Sequence, residues 1–390
     1  MKILHVTPSF YPAFVYGGPV RSVYDLCGAL ASFGEDVRVL TTDANGATQR
    51  LRVPQGDVPM QAGEGRAWTA RYARRVAGHT VSPELVRALP SYVRWADVVH
   101  LTAVYSFPTL PTLMTARFAG KPVIVSPRGS FGAWGRRRHR RSKAGMEVMA
   151  RVTGGRALAF HATSTSEAAD VRRVMGAHQV VTIPNGVNDA EFRTLPAGAR
   201  AWVRQVASVK DEDGPIVGCL GRLHRKKALH HLVQAVPELL PRWPRLHVVL
   251  AGPDDGTEQA RLAGLARALR IADRVRFLGA LQGDERVSFL AGLDVFALPS
   301  EEENFANVIA EALAAATPVV ASRRCPWPEL ETRQCGQWIE PPAVAAGVAA
   351  VLEADARGAG GRGRDFVMRE RTATQGARLM REVYRSMVAS

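Results

Sequence analysis

Short apolar runs recur along the chain, separated by longer segments whose apolar residues return at helical spacing. In the first half the runs cover residues 3–6, 37–40, 98–101, 123–125, 158–161 and 180–183. A second series starts at 216–220 and continues at 248–250, 275–278, 295–298, 319–321 and 338–339. Strand-length runs alternating with helical segments predict a mostly parallel α/β sheet covered by helices. The restart predicts two doubly wound, Rossmann-like domains. We place the first at residues 1–190 and the second at 215–365. The polar stretch 191–214, with Leu195-Pro196-Ala197-Gly198 and Asp211-Glu212-Asp213-Gly214, is expected to link them. Residues 366–390 are helical in composition.

In open α/β sheets ligands bind beyond the carboxyl ends of strands, so the residues after each run are the candidates for chemistry. After the first run come Gly17 and Gly18, then Pro19 at the start of a helix with Val20, Val23, Tyr24, Cys27, Leu30 and Ala31 on one face. Two glycines there admit a close partner at a helix N-terminus, or simply make a turn. Thr102, Tyr105 and Arg128 follow two further strands. In the second half a strand delivers Gly221, and Arg222 and Lys227 stand five apart ahead of a helix over 229–240. Arg grips a phosphate through two parallel N–H groups and Lys acts as a point charge, so the pair suits a diphosphate without metal. Gly252, Leu278 and Gly279 follow the next two strands.

The stretch running from Pro299 to Leu313 follows the 295–298 strand. Val308, Ile309, Ala312, Leu313 and Ala316 recur at three- and four-residue spacing and predict a helix that stops near Thr317-Pro318. Glu303 lies in the loop before it, with Asn304, Phe305, Ala306 and Asn307 between that residue and the helix. Glu311, eight residues on, sits inside the helix roughly 10 Å along its axis. Two carboxylates so placed either serve a ligand at the helix end or favour its dipole.

Composition narrows the classes. With 390 residues the chain holds two or three domains, and 46% hydrophobic with 22% charged residues is ordinary for a globular protein. No secretory leader is expected, because Pro8, Pro12, Gly17 and Gly18 interrupt the N-terminal apolar run. No apolar run approaches membrane-spanning length. Cys27, Cys219, Cys325 and Cys335 form no Cys-x-x-Cys pair and are expected as free thiols of a cytoplasmic protein. The net charge of +15 raises polyanionic partners, yet the basic run at 136–141 lacks interleaved aromatics and any helix-turn-helix or zinc pattern, which argues against nucleic acid. That run reads as a solvated loop or as a surface for anionic lipid at the inner face of a membrane. The Asp211-Glu212-Asp213 match precedes a strand in the polar stretch and is taken as chance, so no metal site is assigned.

The Glu-x7-Glu pair of Glu303 and Glu311, with Asn304-Phe305 after the first and Ala312-Leu313 to Val320 after the second, resembles the donor-site signature of the retaining GT-B glycosyltransferases of family 4. Arg222 and Lys227 match the family's Arg-x4-Lys, and Ala162 to Glu167 with Ile183-Pro184-Asn185-Gly186-Val187 follow the family order. The likeness covers nearly the whole chain. It implies two domains facing each other across a cleft, and a last helix crossing back to the first domain. It implies transfer of a sugar from a nucleotide diphosphate sugar to a hydroxyl on a glycan or lipid-linked acceptor, with retention and no cofactor, in cell-surface polysaccharide or glycolipid assembly. By the same resemblance Glu303 faces the sugar, Glu311 the ribose, Arg222 and Lys227 the diphosphate, Leu278-Gly279 the base, and the glycine pair the donor phosphates and acceptor. Thr102 stands where many relatives have a sugar-facing His, and Arg128 lies in a Pro-Arg-Gly segment found in a subset of them. Ala228 and Ala306 replace usual glycines. A nucleotide-sugar 2-epimerase on the same architecture and a non-enzymatic binder of nucleotide sugars or polyanions are the alternatives.

Overall fold

A computed structural model of the protein describes residues 1–54, 56–61, 67–78, 80–132, 144–145, 147–148, 158–176, 178–209, 214–254 and 256–389. The basic run at 136–141 and the Asp211-Glu212-Asp213 match lie outside these residues. The chain divides into two compact units, Met1–Gly186 together with Ala373–Ser390, and Val187–Thr372.

The first unit is built on strands β1 (Lys2–Val6), β2 (Asp36–Thr42), β3 (Asp57–Met60), β4 (Trp68–Ala73), β5 (Val98–Thr102), β6 (Val123–Ser126), β7 (Leu158–Ala162) and β8 (Gln179–Thr182). Their order across the sheet is β8-β7-β6-β5-β1-β2-β4-β3. All neighbours are parallel except the β3/β4 edge pair. The central strands are covered on both faces, which is why they read as unbroken apolar runs. Leu4, Val6, Val99 and Leu101 pack on one side, Ile3, Val98 and Ile124 on the other. The edge pair had no such run; β3 carries Pro59, tolerated on an edge strand.

The second face is covered by the Gly18–Ser32 and Ala373–Ala389 helices, which bury Val23, Cys27 and Leu30 and, from the latter, Ala377, Met380 and Tyr384. The last helix therefore belongs to the first unit's core. It starts at Ala373 rather than 366, because the chain breaks at Arg371 and Thr372, where Thr372 is buried and bridges Val187. Tyr384 reaches a chain of buried polar groups. The His161 Nε2 lies 2.8 Å from the Ile183 carbonyl, Ser126 Oγ lies 2.7 Å from both His161 Nδ1 and His100 Nε2, and His100 Nδ1 lies 2.5 Å from the Tyr384 hydroxyl. A carbonyl only accepts, so His161 donates through Nε2 and takes the Ser126 proton at Nδ1. His100 then donates to Ser126 and Tyr384 to His100. Burial, reinforced by the Arg128 charge, depresses His5 and His161 to about 3, and burial with the neighbouring imidazoles holds His100 well below its ordinary value. Arg75, from a basic knot at Arg71, Arg74 and Arg75, donates to the carbonyls of Gly46, Ala47 and Thr48 and so holds a loop.

The second unit carries β9 (Ile216–Leu220), β10 (His247–Ala251), β11 (Val275–Gly279), β12 (Val295–Leu298), β13 (Val319–Ser322) and β14 (Gly336–Ile339), all parallel, in the order β11-β10-β9-β12-β13-β14. The expected linker at 191–214 is in large part structure of this unit. Helices Asp189–Phe192 and Ala199–Val206 bury Phe192, Ala199 and Val203. A Cβ on Gly292 would lie 2.5 Å from the Ala199 carbonyl oxygen and 2.5 Å from Val203 Cγ2, so the missing side chain lets that helix seat. Polar residues on its other face had hidden it. The Ala356–Glu370 helix closes the unit: a Cβ on Gly360 would lie 2.0 Å from the Ala316 carbonyl oxygen, and Arg364 donates to the Phe192 carbonyl at 2.7 Å.

Candidate functional site

Three strand ends of the second unit are locked by glycine turns. After β9, the Gly221 N–H donates to the Ala251 carbonyl at 2.9 Å, and after β10 the Gly252 N–H donates to the Gly279 carbonyl at 2.6 Å. Gly221, Gly252 and Gly279 have φ of +150, +140 and +72. A Cβ on Gly252 would lie 1.9 Å from the Gly221 carbonyl oxygen, so no larger residue fits there. Leu223 and Pro253 extend the contact through a 2.9 Å hydrogen bond, which sets the direction in which Arg222 and Lys227 leave β9. Leu278 is half-buried beside Gly279.

Lys227 and Glu303, 76 positions apart, meet as an ion pair with Nζ 2.6 Å from Oε1. Ser300, absent from the expected set, donates its hydroxyl to the same Oε1 at 2.8 Å. Backbone bonds hold both loops: the Glu301 N–H donates to the Lys226 carbonyl at 2.9 Å and the Glu303 N–H to the Arg324 carbonyl at 3.2 Å. The side chains are 22% and 14% exposed. Burial works against both charges, but each partner outweighs it: Lys227 titrates above the ordinary lysine range and Glu303 below the ordinary carboxylate range. Both are therefore charged at neutral pH. Arg222 is exposed at the start of the same loop.

Ala306 caps the Asn307–Ala314 helix in left-handed conformation, φ +62, and Ala228 has φ +49. These are the two positions at which the resemblance leads one to expect glycine. Phe305 packs on Trp327 with ring centroids 5.1 Å apart, and the Trp327 indole N–H donates to the Phe305 carbonyl, which anchors the loop holding Asn304. Glu311, one helical stretch further, is not joined to Glu303. Its Oε2 lies 2.6 Å from Arg286 Nη1, and Arg286 Nη2 donates to Glu191. Nothing in the spacing marks Arg286, which reads as one polar residue of the Gly283–Ala291 helix, or Ser300, which precedes an acidic run.

In the first unit Gly17 has φ +81 and caps the Gly18–Ser32 helix, with Pro19 at its second position rather than its first. Thr102 is 4% exposed, and its Oγ1 has no hydrogen-bond partner among the described residues. The Tyr105 hydroxyl donates to Glu147. Arg128, φ +54, is not a salt-bridged surface residue. Burial lowers its pKa, its Nη1 donates to Asn185 Oδ1, and its Nε is buried without a partner among the described residues. With His161, Asp25 and Asn185 it lines a cavity of ≈ 20 Å³, room for about one water molecule.

Among the described residues no helix is long and apolar enough to cross a membrane, and no group of three or more His, Cys, Asp and Glu side chains could hold a metal ion.

Comparison with known proteins follows the division into units. Residues 16–191 match the family model described as Glycosyltransferase Family 4, and residues 202–358 match Glycosyl transferases group 1. A D-inositol 3-phosphate glycosyltransferase of Corynebacterium urealyticum is 33% identical over 165 residues, 40% of this chain and 39% of that relative, so the chain matches well under half of its length. A glycogen synthase of Mycobacterium tuberculosis is 28% identical over 355 residues, 83% of this chain and 78% of the relative. Among solved structures, Anabaena HepE in complex with UDP has a TM-score of 0.76 at 17% identity, covering 99% of this chain and all of its own. The two family models, matched in order on two parallel α/β units, place the chain among the family 4 glycosyltransferases with the GT-B fold.

Proposed function

We propose that the protein transfers a sugar from a nucleotide diphosphate sugar to a hydroxyl acceptor with retention at the anomeric carbon, in the assembly of a cell-surface polysaccharide or glycolipid. The observation that carries this reading is the Lys227–Glu303 pair, 2.6 Å apart and charged on both sides at neutral pH. Fixed charges of opposite sign are poorly suited to exchange protons with a substrate and well suited to stabilise charge as it separates. Lys227, with Arg222 beside it, receives the departing diphosphate. Glu303 meets the sugar hydroxyls and the positive charge that develops on the ring. The diphosphate oxygen then takes the acceptor's proton on the face it leaves, so no enzymatic base is needed. A 2-epimerase would need acid and base side chains at the sugar, and this pair offers neither.

The UDP held by HepE supports a nucleotide-bound donor, and the glycogen synthase relative supports a glycan acceptor. Glu311 is assigned to the ribose, Gly252 and Leu278-Gly279 to the turns around the nucleotide, and Asn304, Phe305, Ala306 and Asn307 to the loop under the sugar. Gly17, Gly18, Thr102, Tyr105 and Arg128 are assigned to the acceptor and phosphate side. Because cations of the chain itself balance the diphosphate, turnover is expected to survive EDTA; activity lost to chelation and restored by magnesium or manganese contradicts that part. The decisive experiment incubates the protein with a panel of nucleotide sugars, with and without glycan and lipid-linked acceptors, and identifies released nucleotide and sugar product by mass. Transfer to an acceptor supports the reading. Epimerised donor without acceptor, or binding without turnover of any donor, refutes it.

A further inference from the structure

Glu311 does not stand alone in the second unit. Arg286 lies between two carboxylates, with Nη1 2.6 Å from Glu311 Oε2 and Nη2 donating to Glu191. The guanidinium carbon sits 5.8 Å from the centroid of the Phe192 ring. The arginine side chain is 8% exposed, Glu311 12% and Glu191 32%. The backbone fixes the spacing. Glu311 and Arg286 belong to the Asn307–Ala314 and Gly283–Ala291 helices, and Thr317 ties the two: its N–H donates to Ala312 at 3.0 Å and its hydroxyl to Leu290 at 2.6 Å.

Resting on the donor-site reading above, we infer that Arg286 is a positioning residue for the ribose: it holds one oxygen of Glu311 so that the other is presented to the ribose hydroxyls, while Glu191 and Phe192 keep the guanidinium from swinging to the ligand. A glutamate with three free torsions loses rotamer entropy when it binds a diol, and a carboxylate already gripped on one side loses less. Charge points the same way. One cation between two carboxylates leaves the trio at net −1, which repels a second anion and favours neutral hydroxyl donors. Arg286 thus tunes the discrimination between ribose and a sugar lacking those hydroxyls, and contributes little to the chemical step.

The test uses the full chain and whichever of uridine, guanosine and adenosine diphosphate binds it most tightly, beside the 2′,3′-dideoxy form of that nucleotide, by calorimetry. Wild type should prefer the ribose form. Arg286→Leu should weaken the ribose form by roughly 10-fold, as expected when the ion pair that orders Glu311 is lost and the carboxylate must be ordered on binding, and leave the dideoxy form nearly unchanged, so that the preference collapses. Arg286→Lys and Glu191→Gln should lie between, and all should raise KM far more than they lower kcat. Melting curves accompany each variant; if Arg286→Leu does not fold, the other two carry the comparison. Undiminished preference in the Arg286 and Glu191 variants overturns the inference. Glu311→Gln separates it from its foundation. If that variant also keeps the preference, the ribose assignment of Glu311 fails; if it loses the preference and the Arg286 variants do not, only the role of Arg286 fails.

Discussion

Replacing Glu303 by Gln keeps the shape of the side chain and removes its charge, which leaves Lys227 holding a positive charge in a site only 22% exposed. Breaking a buried pair from one side costs about 3–5 kcal/mol, and the surviving Ser300 contact together with the residual exposure places this change at about 3 kcal/mol. For a unit of this size, at about 2–4 °C for each kcal/mol, the melting temperature should fall by roughly 6–12 °C. Lys227→Met should cost a similar amount alone. The double variant should lose about 2–3 kcal/mol less than the two singles together, since neither charge is then stranded. A nucleoside diphosphate supplies Lys227 with a new anion, so its addition should raise the melting temperature of Glu303→Gln more than that of wild type, and its affinity should not fall. Turnover in the same variant should drop about 10²–10³-fold, as when one preorganised electrostatic group is removed. Thermal scans with and without nucleotide, run beside initial rates, measure all of this. Additive losses in the double variant, or full activity in Glu303→Gln, refute the reasoning.

Three further outcomes are expected. His5 and His161, depressed to about 3, and His100, also depressed, are neutral when folded and take up protons near 6.5 when unfolded. Their contribution is complete above pH 6.5 and is lost as pH falls below it; at pH 4.5 His5 and His161 should each cost about 2–3 kcal/mol, with His100 adding in the same direction, and denaturant titrations at pH 7 and 4.5 that give equal stability contradict this. Gly252→Ala forces a Cβ to 1.9 Å from the Gly221 carbonyl oxygen and should lower stability by about 3 kcal/mol or more and abolish nucleotide binding; an unchanged melting curve rejects the close approach. Arg270, exposed with φ +57 just past the Glu258–Ala268 helix, should gain about 1 kcal/mol on change to Gly, since no packing is lost, and a destabilised variant rules this out.

The fold was legible because both sheets are mostly parallel and buried on two faces. The run at 295–298 became a fully buried strand, and the helix expected to stop near Thr317-Pro318 ends there, with Thr317 bonded back to Ala312. The Ala199–Val206 helix was hidden because only Ala199 and Val203 of its eight residues are buried and the flanking Pro196 and Gly198 read as loop. Candidate site residues stood out where their spacing on one loop and the helix after it carried the pattern, as with Glu303 and Glu311. Their partners did not. Lys227 reaches Glu303 because neighbouring strand ends bring two distant loops together, and Arg286 reaches Glu311 because two helices pack side by side; the sequence intervals between them have no period to read. Ala228 and Ala306 are the converse case: departures from glycine in the sequence, left-handed backbone in the structure all the same.

The second unit is one unbroken segment, and the chain enters and leaves it side by side, where the Val187 N–H donates to the Arg371 carbonyl at 2.9 Å and Val187 bridges Thr372. It is thus an insertion within the first unit, and synthesis from the N-terminus meets the two in an unexpected order. All of Val187–Thr372 has been made before the first unit receives Ala377, Met380 and Tyr384 for its core. On the ribosome the later-encoded unit completes itself first, while the earlier one waits with a face of its sheet covered by the Gly18–Ser32 helix alone. A stop codon ahead of Tyr384 would therefore damage the half of the protein encoded at the opposite end of the message.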